Sequence, residues 1–384
     1  MNFEFATATR TLFGPGQLAE LGRLAAAFGP RALLVTGASS TPVERILSIL
    51  QPAGVQAALY PVATEPTPAL VAQGLELART AHSDLVIACG GGSVLDAGKA
   101  IAALLANGGT PLDYLEIVGL GRKLTQPSRP CLAIPTTAGT GAEATRNAVL
   151  RVPERRIKVS LRSALMLPTA ALIDPELTHG LPPALTASSG MDALTQLIEP
   201  LVCRRANPLT DAICRQGIGL VARSLRRAYH QGDDGAARSD MALAGWLGGM
   251  ALANAGLGAV HGLAGPLGGM FPAPHGALCA ALLPAVMAAN LEALRQTPDG
   301  EAACARYDQV AQLLTGSAAA RADDGVGWVA DLVAELKIPP LRSYGVDAGC
   351  FPELLEKAAT ASSMKANPIE LSPEALRVIV TAAI

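Results

Sequence analysis

Apolar positions follow two regimes along the chain, changing near Asp174-Pro175. In the first, short continuous apolar runs alternate with helical periodicity. Arg31-Ala-Leu-Leu-Val-Thr36 reads as a buried strand, as do Val55–Tyr60, Asp84-Leu-Val-Ile-Ala-Cys89 and Cys131-Leu-Ala-Ile134. Helical stretches at Val43–Leu50, Pro68–Thr80 and Val94–Ala106 lie between them, the second behind a turn ending in an N-capping threonine, Thr67. Strands apolar on both faces, separated by helices, predict a parallel, doubly wound sheet. From Leu181 onward the spacing predicts helices only: Thr186–Val202, Pro208–Ala228, Ala236–Ala255, Gly276–Leu291, Cys304–Leu314, Gly325–Leu336, Pro352–Ala361 and Pro373–Ala383. The expected fold is therefore an α/β Rossmann-like domain over residues 1–178 and an all-α domain over 179–384. That pairing predicts a cleft, with ligands at the carboxyl ends of the strands.

The stretch Met241–Asn290 has no Asp, Glu, Lys or Arg, yet holds His261, His275 and Cys279. Gly and Pro interrupt every window long enough to span a bilayer, and no aromatic belt or basic cluster flanks it. Two readings stay open from the residues: a buried helix pair whose imidazoles bond the backbone, or metal ligation, for which imidazole is the commonest ligand. Upstream, Asp192 and Gln196 lie four apart on a predicted helix and share a face. Asp192, His261 and His275 make a two-histidine, one-carboxylate set suited to ferrous iron or zinc, with Gln196 as a weaker oxygen ligand.

Composition narrows the classes. Half the residues are hydrophobic, 16% are charged and the net charge is −2, which excludes a disordered chain and predicts no nucleic-acid face. Aromatics at 3% offer no base-stacking platform. The clusters Arg151–Lys158 and Arg223–Arg227 read as solvated surface. Seven scattered cysteines without a CxxC, and no basic-then-apolar opening, predict reduced thiols in a cytoplasmic protein with no membrane partner.

Three loops look built for a dinucleotide. Gly90-Gly91-Gly92-Ser93 follows a strand and opens a helix, letting a pyrophosphate approach free N–H groups. Thr136, Thr137 and Thr140 form a hydroxyl-rich loop that can bind ribose or phosphate. Thr140 can also cap a following helix, with Glu143 completing a capping box. The loop Gly37-Ala38-Ser39-Ser40 lacks the acid that accepts a ribose 2′-OH, so Ser39 and Ser40 favour NADP(H), with NAD(H) as the alternative.

Five segments together are specific: Gly90-Gly-Gly-Ser-Val-Leu-Asp-Ala-Gly-Lys99, Pro135-Thr-Thr-Ala-Gly-Thr-Gly141, Asp174-Pro-Glu-Leu-Thr178, Gly190-Met-Asp-Ala-Leu-Thr195 and Pro274-His-Gly276. On them the chain resembles the iron-containing alcohol dehydrogenase family nearly end to end. The resemblance implies a dehydroquinate synthase-like architecture, a homodimer or higher homo-oligomer, and hydride transfer between a nicotinamide and a small alcohol or aldehyde, assisted by divalent iron or zinc. It carries Asp192, His261 and His275 over as metal ligands, and Gly91, Gly92, Ser93, Asp96, Thr136, Thr137, Thr140 and Lys158 as cofactor contacts. Two positions depart from it: most members have histidine at the place of Gln196, and many have one at the place of Gly265. Two alternatives stand beside this reading, a metal-independent enzyme like maleylacetate reductase and a catalytically dead cofactor-binding protein.

Overall fold

A computed structural model describes residues 2–37 and 41–384. Ser39 and Ser40 lie outside the described residues. The chain forms two compact units, Ala6–Thr137 with Gly141–His179, and Gly180–Ile384 with Met1–Phe5 and Ala138–Thr140.

The first unit holds eight strands among the described residues: β1 Thr11–Phe13, β2 Arg31–Thr36, β3 Gln56–Pro61, β4 Leu85–Gly90, β5 Cys131–Pro135, β6 Asn147–Val152, β7 Ile157–Arg162 and β8 Ala170–Ile173. Six form one sheet in the order β1-β8-β5-β4-β2-β3, every neighbouring pair parallel. Its helices are α1 Leu21–Ala26, α2 Thr41–Leu50, α3 Pro68–Thr80, α4 Gly92–Asn107 and the single turn α5 Pro111–Tyr114. Strands β4 and β5 are buried at every position, which is why they read as unbroken apolar runs. Alternation splits their side chains between two cores. Leu33, Val35, Val86, Ala88 and Ala133 pack with Val71, Leu75, Leu95 and Ile101, while Leu34, Leu85, Ile87, Leu132 and Ile134 pack with Leu21, Leu24, Ile46 and Leu50.

Four strands go beyond those expected. β1 and β8 are three and four residues long, too short to carry a pattern. β6 and β7 form an antiparallel hairpin in which one face alone is buried, so their alternation is diluted by Arg151, Lys158 and Arg162. The basic cluster 151–158 is thus a hairpin turn, exposed at Arg155 and Arg156 but with Lys158 drawn in to pair with Glu65. The capping box expected at Thr140 is corrected: Gly141 takes the left-handed conformation (φ 58) and the following turn, Ala142–Ala144, is 3₁₀ without a side-chain cap. Thr67 does cap α3, accepting from the Leu70 N–H at 3.2 Å.

That 3₁₀ turn buries Glu143, and burial pushes its carboxyl up to about 7, against its own backbone N–H and Lys99. Between pH about 4.5 and 7 the folded chain keeps a proton that the unfolded chain has lost. This contribution is therefore fully present below 4.5 and is lost as pH rises through 7. Glu143→Gln, neutral at every pH, should be near-neutral for stability at pH 5 and stabilising by about 2–3 kcal/mol at pH 9. Urea midpoints at the two pH values check this; an equal offset at both would contradict it.

The second unit is helical: α6 Pro183–Val202, α7 Pro208–His230, α8 Gly235–Ala255, α9 Ala259–Met270, α10 His275–Arg295, α11 Gly300–Thr315, α12 Ala322–Glu335, α13 Phe351–Thr360 and α14 Pro373–Ala383. α9 is not among the expected helices. Gly262, Gly265, Pro266, Gly268 and Gly269 give it poor intrinsic propensity. It forms because nearly all of it is buried, and a Cβ on Gly262 would lie 2.8 Å from Met364 Cε. α10 is apolar and long enough to cross a membrane, but 61% of its most apolar window is buried within the protein, as in a core helix.

Candidate active site

The strand order reverses between β2 and β4: after β2 the chain moves outward to β3, then returns to β4 on the other side of β2. At such a switch point the loops at the carboxyl ends of the strands form a ligand crevice. β4 ends there at Gly90, and Gly91 caps α4 with extended backbone and no side-chain hydrogen bond. The Val94 and Leu95 N–H groups donate to Gly91 O at 3.0 and 3.1 Å, which leaves the Gly92 and Ser93 N–H groups and the positive end of the helix dipole for a ligand. Close packing demands two of the glycines. A Cβ on Gly90 would lie 2.6 Å from Val94, and one on Gly98 2.5 Å from the Ala88 Cβ. At Gly91 a Cβ would meet only the Thr137 side chain, at 3.5 Å, so the hydroxyl loop borders the glycine turn. Thr136 N donates to Gly90 O at 3.0 Å, tying the two loops together.

Gly91, Gly92, Ser93, Thr136 and Thr137 are brought together and partly accessible. Thr140 counts with the helical unit. Asp96 and Lys158 each have protein partners. Asp96 accepts from Val149 N at 3.0 Å and pairs with Lys99 at 3.0 Å, and Lys158 pairs with Glu65.

In the helical unit, α6 presents Asp192, Gln196 and Glu199 on one face, at i, i+4 and i+7. All three are buried. α9 contributes His261 and α10 His275 and Cys279. Gly276 makes the approach of α10 to α6 possible: a Cβ there would lie 2.2 Å from the Ser188 carbonyl oxygen and 3.2 Å from the Asp192 Cβ. The Asp192 Oδ1 sits 3.6 Å from His261 Nε2 and 3.8 Å from His275 Nε2. The rings lie 5.2 Å apart, centroid to centroid. Cys279 Sγ lies 3.8 Å and 3.6 Å from the same two nitrogens.

Glu199 sets the tautomer of His261. Its Oε2 lies 2.6 Å from Nδ1, and a carboxylate only accepts, so Nδ1 carries the hydrogen and Nε2 faces the cluster. The other Glu199 oxygen accepts from the Val260 N–H at 2.7 Å. Burial works to lower the His261 pKa, but Cys279, Glu199 and Asp192 outweigh it and hold it well above the ordinary value. Burial likewise opposes ionisation of Asp192, and His275, His261 and Gln196 hold its carboxyl low. Burial pushes the Cys279 thiol up to about 11, against His261.

This arrangement fits a divalent cation. Asp192 Oδ1 is buried without a hydrogen-bond partner, and both imidazole nitrogens stand beyond hydrogen-bond reach of it. One ligand atom from each of Asp192, His261, His275 and Cys279 lies within 4.8 Å of all the others. Sequence reasoning places Asp192, His261 and His275 here but does not reach Glu199, and it notes Cys279 only as an ionisable neighbour. The signals for those two are helical spacing: Glu199 seven after Asp192, and Cys279 four after His275.

Known proteins give the same picture. Residues 8–175 match the family described as iron-containing alcohol dehydrogenase, and 186–384 its C-terminal domain. Alcohol dehydrogenase 4 of Schizosaccharomyces pombe is 37% identical over 374 residues, 96% of this chain and 86% of the relative. The crystal structure of a 1,3-propanediol oxidoreductase superposes with a TM-score of 0.92 at 34% identity, covering 100% of both chains. Sulfoacetaldehyde reductase from Bifidobacterium kashiwanohense, solved in complex with NAD+, superposes with a TM-score of 0.86 at 25% identity over 100% of this chain and 99% of that one. The chain belongs to the iron-containing alcohol dehydrogenase family and is an NAD(P)-dependent, metal-assisted alcohol dehydrogenase.

Proposed function

We propose that the enzyme interconverts a small alcohol and its aldehyde with NADP(H), using a divalent ion held by Asp192, His261 and His275. The observation that carries the reading is the buried, unpartnered Asp192 Oδ1 flanked by two imidazole nitrogens at 3.6 and 3.8 Å. When bound, the ion supplies Lewis acidity toward the substrate oxygen and the nicotinamide supplies the hydride chemistry. The protein's part is positional. Glu199 holds the His261 ring with Nε2 turned to the ligand set, and Gln196 lies one turn along α6 from Asp192. The Gly91–Ser93 turn offers the α4 N-terminus to the dinucleotide pyrophosphate, with Thr136, Thr137 and Thr140 for ribose and phosphate. By sequence the segment Gly37–Ser40 carries no acid to accept a ribose 2′-OH, which favours a cofactor with a 2′-phosphate. A homodimer or higher homo-oligomer in the cytoplasm accords with this reading, as do seven cysteines without a disulfide.

The test is metal content measured beside activity, with NADPH and NADH compared across an aldehyde panel before and after chelation. We expect about one ion per chain, loss of activity on chelation, its return with metal, and preference for NADPH. Full activity in metal-free protein would instead support carbonyl reduction without an ion.

A further inference from the structure

We propose that the Cys279 thiolate, and not the Gln196 amide, is the fourth protein ligand of the ion, giving a carboxylate, two imidazoles and a thiolate that select zinc over ferrous iron. The inference rests on the metal reading above and adds a donor and a metal identity to it.

Geometry comes first. In a tetrahedral zinc site with Zn–N of about 2.0 Å and Zn–S of about 2.3 Å, nitrogen and sulfur stand about 3.5 Å apart and nitrogen and oxygen about 3.3 Å. Cys279 Sγ lies 3.6 Å from His275 Nε2 and 3.8 Å from His261 Nε2, and Asp192 Oδ1 lies 3.6 and 3.8 Å from the two rings. These separations sit slightly above the tetrahedral values, so a small inward shift of each donor closes the set around one ion. His275 and Cys279 reach the same point because they are four apart on α10, and Gly276 lets that turn press against α6.

Charge and softness agree. The segment 241–290 has no Lys, Arg, Asp or Glu, so neutralising a buried dication falls to the carboxylates of α6 and to the remaining ligands. Asp192 supplies one negative charge at the ion and Glu199 a second behind the His261 ring, and the thiolate would add one in direct contact with the metal. Binding the ion forms a metal–sulfur bond and breaks the S–H bond, with the proton passing to buffer and no change of oxidation state. Thiolate favours zinc, whereas an amide oxygen is a poor donor to late first-row metals. Gln196 Oε1 is also buried without a partner, so the amide is the competing donor, and the softer thiolate is the one that zinc favours.

Zinc K-edge X-ray absorption of the zinc-loaded wild-type enzyme should show one sulfur at about 2.3 Å among nitrogen and oxygen neighbours. A shell of nitrogen and oxygen alone overturns the proposal. Cobalt(II) substitution supplies a second readout. Wild type and Gln196→Ala should show a near-ultraviolet sulfur-to-cobalt charge-transfer band, and Cys279→Ser should lose it while keeping the visible ligand-field bands. Visible bands without the charge-transfer band in wild type would overturn thiolate ligation and leave the Asp192, His261 and His275 reading standing. Absence of all cobalt and zinc binding would overturn both. Since loss of even an outer-shell partner lowers metal affinity by about 10–100-fold, Cys279→Ser should lower zinc affinity by at least about 100-fold and Gln196→Ala by no more than about tenfold. The reverse order would also overturn it.

Discussion

Asp192→Asn lowers kcat/KM for aldehyde reduction by about 10³-fold or more, while the affinity for NADPH changes by less than about twofold. The first number follows from what the carboxylate does. It is the α6 carboxylate that faces Nε2 of both imidazoles, with no other partner for its Oδ1, whereas Glu199 bonds the far side of His261. Asparagine keeps the shape but replaces an anionic donor with a neutral amide, and an amide nitrogen turned toward Nε2 of either ring would repel a cation outright. Lewis-acid assistance is worth several kcal/mol, and each 1.36 kcal/mol is a factor of about ten in rate. The second number follows because the glycine turn and its helix belong to the α/β unit, in which Asp192 takes no part. Steady-state kinetics and fluorescence titration of NADPH separate the two. Activity within tenfold of wild type at saturating metal would remove Asp192 from the ligand set, and chelated wild type should behave like the variant.

How far such a site can be read from residues alone depends on what burial does to the pattern. β2, β4 and β5 are legible because helices cover both faces, and nothing polar interrupts them. The β6–β7 hairpin is not, because with one face buried its arginines and lysines read as surface. α9 is hidden for the opposite reason. Its glycines and proline argue against a helix locally, and only packing against Met364 and its neighbours makes one. His261 and His275 stand out since imidazoles in a charge-free segment need an explanation, and Asp192 stands out through its motif. Glu199 does not, because an acid on a long helix carries no mark of being buried against an imidazole. Cys279 is one of seven scattered thiols, and only the convergence of α6, α9 and α10 distinguishes it. Asp96 and Lys158, expected at the cofactor, also pair with Lys99 and Glu65, contacts that no spacing in the sequence announces.

Lys99→Met lowers stability by about 3–5 kcal/mol and weakens NADPH binding about tenfold, although the lysine lies two turns along α4 from the glycine cradle. Its side chain is 0% exposed and its ammonium donates to Ala142 O at 2.8 Å and Thr145 Oγ1 at 2.9 Å, and also to Asn147 O, while pairing with Asp96 at 3.0 Å. Asp96 in turn accepts from Val149 N at 3.0 Å. One residue thereby pins α4 to the chain between the 3₁₀ turn and β6. Methionine fills nearly the same volume, so what is lost is the charge and its hydrogen bonds. Ala142 O and the part-buried Asn147 O lose a charged donor, although Ala142 O keeps Thr145 Oγ1 at 3.2 Å, and Asp96 loses its counter-charge, which together cost about 3 kcal/mol or more. The binding loss follows because α4 presents its N-terminus to the pyrophosphate, where a shift of about 1 Å is costly. Lys158→Met is the comparison: that lysine, 9% exposed, has one partner, Glu65, itself 35% exposed, so its loss should cost about 1–2 kcal/mol, less than that of Lys99. Urea midpoints for the two variants, read with NADPH titrations, decide the matter. Equal midpoints would mean that the buried ammonium stabilises the unit no more than the single Lys158–Glu65 pair does, and that the cradle helix is held by packing alone.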